Sequence, residues 1–296
     1  MSIATPKAKT RIRRALVGAL ASGFAFLAFT ETAQAQEIFL TGPLAGAPAV
    51  RQLRLYREGR FELAPNATFT LLDEYQRTIL LGLRINYNFT DWLAFGVWGA
   101  YGGLIQLPTA LSEEIQTVNE QRRAEPDDPD TQLALRLTGN NIGPDFTEQL
   151  AGIDWVAAPQ LTGVPFRGKI ALFQSIYIDT DLYFFAGPAF IGLKERGDCE
   201  ANCDEPATFE LASRVAIAPT FGFGLTFYVN KWNALGFEWR GMPFAWNLAG
   251  IDVAGGGRDE EFPDTTITGA DQQFRFNQML TVSWNFYLPT EYRISE

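Results

Sequence analysis

Arg84 stands among Gly82, Asn86 and Asn88 at every second position, and Glu238 stands with Gly236 and Arg240 in the same way. A guanidinium and a carboxylate on the small, polar side of two strands can pair, because a charge shut away from water needs a partner. Counted from the polar turns that follow or precede them, the two lie at similar depth. The spacing predicts an Arg84–Glu238 pair, with Arg240 joining it or pairing with Glu62. Acid–base chemistry is the other use of such groups, and nucleophile-and-base enzymes usually need a histidine. The chain has none in 296 residues, and no G-x-S-x-G elbow. Glu113-Glu114 and Glu260-Glu261 read as loop charges. We therefore expect no enzyme and no cofactor. The two cysteines, Cys199 and Cys203 in GDCEANCDE, could hold a metal, but the other ligands are missing without histidine. In an exported chain a local disulfide is the favoured reading.

Export is written into the first residues. Lys7, Lys9, Arg11, Arg13 and Arg14 precede an apolar run, ALVGALASGFAFLAF, and Ala33-Gln34-Ala35 is a small-x-small cleavage site. That run is shorter than the roughly 20 residues of a spanning helix. Residues 1–35 thus read as a signal peptide, with the mature chain beginning at Gln36. Beyond the leader, 19 Lys+Arg face 33 Asp+Glu, a balance that argues against nucleic acid as a partner.

The elements that position the charges are strands. NYNFTDWLAFGVWGAYG places Tyr87 and Phe89, then Leu93, Phe95 and Val97, on one face, against Asn86, Asn88, Ala94, Gly96 and Ala100. Two further stretches repeat the strand–turn–strand pattern, with turns at Asp179-Thr180-Asp181 and Asn230-Lys231. The predicted hairpins are 78–90 with 92–102, 168–178 with 182–193, and 212–230 with 233–244. Strands 60–72 and 273–288 flank them, making eight. In 212–230 Val215, Ile217, Phe221, Phe223, Leu225, Phe227 and Val229 alternate with Ala216, Ala218, Thr220, Gly222, Gly224, Thr226 and Tyr228. An eight-stranded barrel has an interior just wide enough for side chains, so rows of Phe belong outside, in lipid. Tyr87, Phe89, Trp92, Tyr228, Trp232, Trp284 and Phe286 cluster at strand ends, as membrane-interface aromatics do.

The expected fold is all-β: an eight-stranded antiparallel up-and-down transmembrane barrel over 60–290, with a tail at 291–296. Its three tight turns would face the periplasm. One long outward loop, 103–167, would carry a short helix with Leu111, Ile115 and Val118 at helical spacing, capping the mouth. Residues 36–59 read as a periplasmic lead-in. Its Arg51, Arg54, Arg57 and Arg60 would sit near anionic groups or a partner, although a plain linker serves equally. Trp284-x-Phe286 resembles the C-terminal aromatic signal read by the barrel insertion machinery, displaced here by the eight residues after Leu288.

The run RLYREGRFELAPNATFTLLDEYQRTILLGLRINYNFTDWLAFGVWGAYG, together with IDTDLY at 178–183, resembles an outer-membrane β-barrel domain family of myxobacteria and related deltaproteobacteria. The likeness covers nearly the whole mature chain. That family is largely uncharacterised, so the resemblance implies location and fold rather than an activity. Some myxobacterial barrels of this size serve gliding motility, which would imply an envelope protein partner.

Three functions compete: a surface enzyme, a small-solute channel, and a structural or interaction scaffold with a closed lumen. Missing histidine weighs against the first and a filled eight-stranded interior against the second. The scaffold is the expected function.

Overall fold

The computed structural model describes residues 57–71, 73–124, 145–172, 176–197, 211–251, 253 and 269–290. The leader with its cleavage site (Ala33, Ala35, Gln36), Cys199 and Cys203, Glu260-Glu261 and the 291–296 tail lie outside the described residues.

Eight antiparallel strands form one closed ring in chain order: β1 Phe61–Leu71, β2 Gln76–Asn88, β3 Leu93–Pro108, β4 Gly152–Leu172, β5 Ile176–Arg196, β6 Leu211–Tyr228, β7 Asn233–Trp246 and β8 Gln273–Leu288. β1 closes on β8, with Phe61 opposite Leu288 and Leu71 opposite Gln278. Closure removes the free sheet edges that would otherwise template aggregation. The β2–β3 and β6–β7 turns are tight: the N–H groups of Phe89 and Thr90 both donate to the Leu93 carbonyl, and those of Val229 and Asn230 to the Asn233 carbonyl. These turns and both barrel termini share one end, called here the turn end. The opposite rim is the loop end.

Alternation sorts the side chains as an inverted globule. Phe95, Val97, Phe221, Phe223, Phe237, Phe276 and Leu280 are exposed on the outside, and Ile217 is 71% exposed. Asn66, Thr68, Asn86, Thr162, Thr226, Ser283 and Asn285 are buried inside. The lumen is graded along its length. Asn, Thr and charged groups fill the turn-end half, while Leu80, Val156, Ile191, Leu193, Met242, Phe244, Trp246 and Met279 pack together toward the loop end.

Three sequence readings are corrected. The loop 103–167 is much shorter, since Gly103–Pro108 extends β3 and Gly152–Arg167 belongs to β4. Asp179-Thr180-Asp181 is not a turn. It lies in β5, paired with Lys169, Gly168 and Arg167, and the pairing of β4 with β5 continues to Leu172 opposite Ile176. A D-T-D tripeptide carries turn chemistry, but Asp181 finds an arginine in the barrel mouth, which no local pattern displays. The lead-in also ends earlier than residue 59. Arg57 and Arg60 are buried in the barrel, Gly59 takes a left-handed φ of 73°, and the Gly59 N–H donates to the Asn88 carbonyl.

A helix, α1 (Ala110–Ala124), follows β3. Its expected apolar face does not dock as one: Leu111 and Val118 are exposed. Polar contacts hold it instead. Ser112 Oγ donates to the Tyr75 carbonyl at 2.5 Å, and the Phe146 N–H donates to Gln116 Oε1 at 2.6 Å. A short 3-10 helix, Phe146–Gln149, then returns the chain to β4. There Phe146 and Leu150 are buried, and the Ala151 N–H donates to the Leu248 carbonyl.

The β1–β2 connection carries a titrating group. Asp73 is partly buried, and burial raises its pKa to about 6 despite a hydrogen bond with Thr70 and the nearby Arg275 and Arg77. An acid whose folded pKa is raised stabilises the fold fully below its unfolded value, about 4, and loses that contribution as pH rises through about 6. Asp73→Asn should flatten the fall in stability between those limits, read as urea midpoints across pH. An unchanged slope would remove Asp73 as its source.

Candidate functional site: the charged lumen

Inward parity delivers Glu62 from β1, Arg84 from β2, and Glu238 with Arg240 from β7, and the closed ring brings all four together. Arg84 Nη1 reaches Glu238 Oε2, and Arg84 Nη2 reaches Glu62 Oε1 at 2.8 Å. Arg240 Nη2 reaches Glu238 Oε1 at 2.7 Å, so of its two expected partners it takes Glu238 and not Glu62. Two guanidinium groups and two carboxylates therefore balance in a space from which water is nearly excluded. Charge-assisted bonds of this kind are shorter and stronger than neutral ones, and each member left alone would be costly.

The remaining donors of Arg240 are also placed, whereas Arg84 Nε is buried with no hydrogen-bond partner among the described residues. Arg240 Nη1 donates to Thr220 Oγ1 at 3.1 Å and Nη2 to Gln160 Oε1 at 2.8 Å. Its flat faces, which form no hydrogen bonds, are covered by rings. The guanidinium carbon lies 4.1 Å from the Trp98 centroid and 4.2 Å from that of Phe185. A desolvated guanidinium between two π faces gains cation–π attraction on both sides. Arg84 Nη1 donates to the Tyr183 hydroxyl at 2.9 Å, and that hydroxyl donates to Glu238 Oε2 at 3.0 Å.

Glycines make room for these rings. Tyr183 pairs with Gly224 and Phe185 with Gly222 on the adjacent strand. A Cβ on Gly222 would come 2.5 Å from Phe185 Cζ. The small residues of β6 thus do not fill the lumen by themselves; they admit large side chains from β5. Trp98 is identifiable by parity, since it alternates with Gly96 and Ala100. Tyr183 and Phe185 escape the sequence reading because both faces of β5 are apolar.

The expected interface aromatics divide. Phe89, Trp92, Trp232 and Trp284 are exposed, Tyr87 and Phe286 half-buried. Phe61, Tyr87 and Phe89 are in ring contact at the turn end, and Trp232 stacks on Phe286 with centroids 6.3 Å apart. Tyr228 is the correction. It faces the lumen, buried, with its hydroxyl donating to Asp181 Oδ2 at 2.6 Å. Its parity with Thr226 and Gly224 places it inside, and position at a strand end does not override parity.

Chemically the cluster is a lock. Each carboxylate oxygen of Glu62 and Glu238 already has a donor or cation close by, and the network joins β1, β2, β4, β5, β6 and β7 across the lumen. Among the described residues no group of three or more His, Cys, Asp or Glu is arranged to hold a metal ion.

These features define a class: a closed, eight-stranded, up-and-down β-barrel with an apolar exterior and a side-chain-filled, charge-locked lumen. No family model matches the sequence, and no curated protein matches it. Solved structures with a similar course include the outer membrane protein OprG from Pseudomonas aeruginosa. It is 12% identical, with 78% of this chain and 96% of that chain covered and a TM-score of 0.35. Neisserial surface protein A is 8% identical over 77% and 99% of the two chains, TM-score 0.33. The attachment invasion locus protein Ail of Yersinia pestis, solved with a heparin analogue, is 8% identical over 78% and 99%, TM-score 0.33. Likenesses this distant carry no argument about activity, and the class rests on the ring of strands itself.

Proposed function

We propose that the chain is an outer-membrane β-barrel that acts as a structural and interaction scaffold at the cell surface rather than as an enzyme or an open channel. One observation carries the reading: the lumen is crossed by a neutral, ion-paired charge cluster beneath an apolar plug of side chains, while rows of Phe, Leu and Val face outward. Such an exterior suits lipid, and no helix among the described residues is long and apolar enough to cross a membrane. Strands crossing a bilayer need about 9–11 residues, and every strand here has at least 11. An ion passing through would have to separate Arg84 from Glu238 and displace the Met242–Met279 packing above them. The absence of histidine and the pairing of the cluster's two carboxylates, Glu62 and Glu238, support a non-enzymatic role.

The reading includes kinship with the myxobacterial barrel family, supported by the sequence phrases it shares. It also includes an envelope protein partner, engaged by the outward connections or by residues before β1. Two measurements test it. The protein should fractionate with outer membranes and migrate faster unheated than heated, and in planar bilayers it should give no steady conductance. Recovery as a soluble periplasmic species would defeat the barrel-in-lipid reading. Reproducible openings would replace the scaffold with a channel.

A further inference from the structure

Below the charge cluster, the turn-end mouth holds a second buried charge assembly, and its cation comes from outside the strands. Arg57 precedes β1 by four residues, yet it is only 3% exposed. Its Nε donates to the Tyr228 hydroxyl at 2.7 Å, Nη2 lies 2.9 Å from Asp181 Oδ2, and Nη1 lies 3.9 Å from Glu62 Oε2. The rings of Tyr228 and Tyr287 flank the guanidinium, with centroids 5.7 and 5.4 Å from its central carbon. The Asp181, Glu62, Tyr228 and Tyr287 side chains are all buried.

The backbone around Arg57 is held as firmly. The N–H groups of Arg57 and Glu58 both donate to Asp91 Oδ1, at 2.7 and 3.2 Å. Arg60 spans to the other side of the mouth, donating to the carbonyls of Pro289 and Tyr287. Two carboxylates and two phenol rings around a flat cation are the elements of a guanidinium receptor.

We propose that the turn-end mouth is a guanidinium-binding site occupied in cis by Arg57, and that this occupancy seals the turn-end half of the lumen from small polar solutes. The residues above the site fit a compartment worth sealing. Among the described residues, Asn86 Oδ1, Thr162 Oγ1, Thr226 Oγ1 and Asn285 Nδ2 are buried and have no hydrogen-bonding partner in the protein, whereas buried polar groups are as a rule satisfied, often by ordered water. Above them the Arg84–Glu238–Arg240 cluster shuts the lumen again. Withdrawing Arg57 should therefore open a blind vestibule and not a channel.

The test uses the full chain with Cys199→Ser and Cys203→Ser, carrying one buried cysteine as a probe. Thr162→Cys reports the turn-end half, and its hydroxyl has no bond to lose. Ala218→Cys reports the loop-end half. With Arg57 in place, a small cationic methanethiosulfonate should label both slowly. Arg57→Ala should raise the rate at position 162 by about tenfold or more and leave position 218 unchanged, with the unheated gel migration showing a folded barrel. Ethylguanidinium at millimolar concentration should slow position 162 again, and equimolar sodium should not. Arg57→Lys, which keeps the charge without the planar fork, should lie between. Fast labelling at 162 with Arg57 intact would overturn the seal. So would no acceleration in Arg57→Ala, or acceleration at both depths. Failure of ethylguanidinium to protect, or equal protection by sodium, would overturn the receptor.

Discussion

Arg84→Met should lower the unfolding free energy by about 3–5 kcal/mol, the usual cost of removing one member of a buried, hydrogen-bonded charge set. The substitution keeps much of the side chain's length and removes its charge and donors. Glu62 and Glu238 would then share the lumen with Arg240 and Arg57, and neither cation reaches both of them as Arg84 does. Tyr183 would lose the bond that fixes its hydroxyl. Arg84→Met combined with Glu238→Met should cost less than the two singles added, with a coupling of about 0.5–3 kcal/mol, because removing both partners orphans fewer charges. Urea titrations of the barrel refolded into lipid vesicles would measure all three. A loss under about 1 kcal/mol in Arg84→Met would mean that water reaches these charges, and the locked-lumen reading would fall.

The second large effect belongs to the outer face. Phe223 is 45% exposed on β6, five residues from the turn end and so about halfway along a crossing of about 9–11 residues, between Phe184 on β5 and Trp239 on β7. Phe223→Arg should destabilise the barrel in vesicles by about 2–4 kcal/mol, as a cation near the bilayer midplane does. Val229→Arg, at the turn-end rim, should cost about 0–1 kcal/mol, the value near an interface. Phe223→Leu controls for the ring contacts with Phe184 and Trp239. Should Phe223→Arg prove harmless, or improve solubility without detergent, the apolar exterior would not be facing lipid. The two predictions oppose each other across one sheet: the inner face requires its arginine, and the outer face rejects one.

Both rest on the same property of a strand, that successive side chains alternate between faces. This is why so much of the fold is legible in the sequence alone. The period of two assigns Phe221, Phe223 and Leu225 outward and Thr220, Gly222 and Gly224 inward, whichever partners the strand finds. The same parity puts Glu62, Arg84, Glu238 and Arg240 on one inner surface. Tight polar turns at Thr90-Asp91 and Asn230-Lys231 mark two reversals, and eight alternating runs set the strand number. β8 is readable to its ends, Gln273 and Leu288, because its alternation is unbroken and a proline follows.

Where alternation is weak or a contact is remote, the residues themselves are silent. β5 is apolar on both faces, so the sequence misplaces its turn by several residues, and with it the start of β4. The entry of Tyr183 and Phe185 into the lumen depends on glycines of β6, far along the chain from them. Arg57 lies before the first strand and has no parity, so only the folded mouth, with Asp181 and two tyrosines arriving from three strands, assigns it a place. Arg240 shows the division most directly. Its inward direction and its i−2 neighbour Glu238 on the same strand are local information, but the arrival of Arg84 at that carboxylate, and of Trp98 and Phe185 at its guanidinium, follow from ring closure. Closing a sheet of tilted strands offsets their residues in height by a stagger that no single strand encodes. The alternating sequence determined which side chains enter the lumen, and the geometry of closure decided which of them meet.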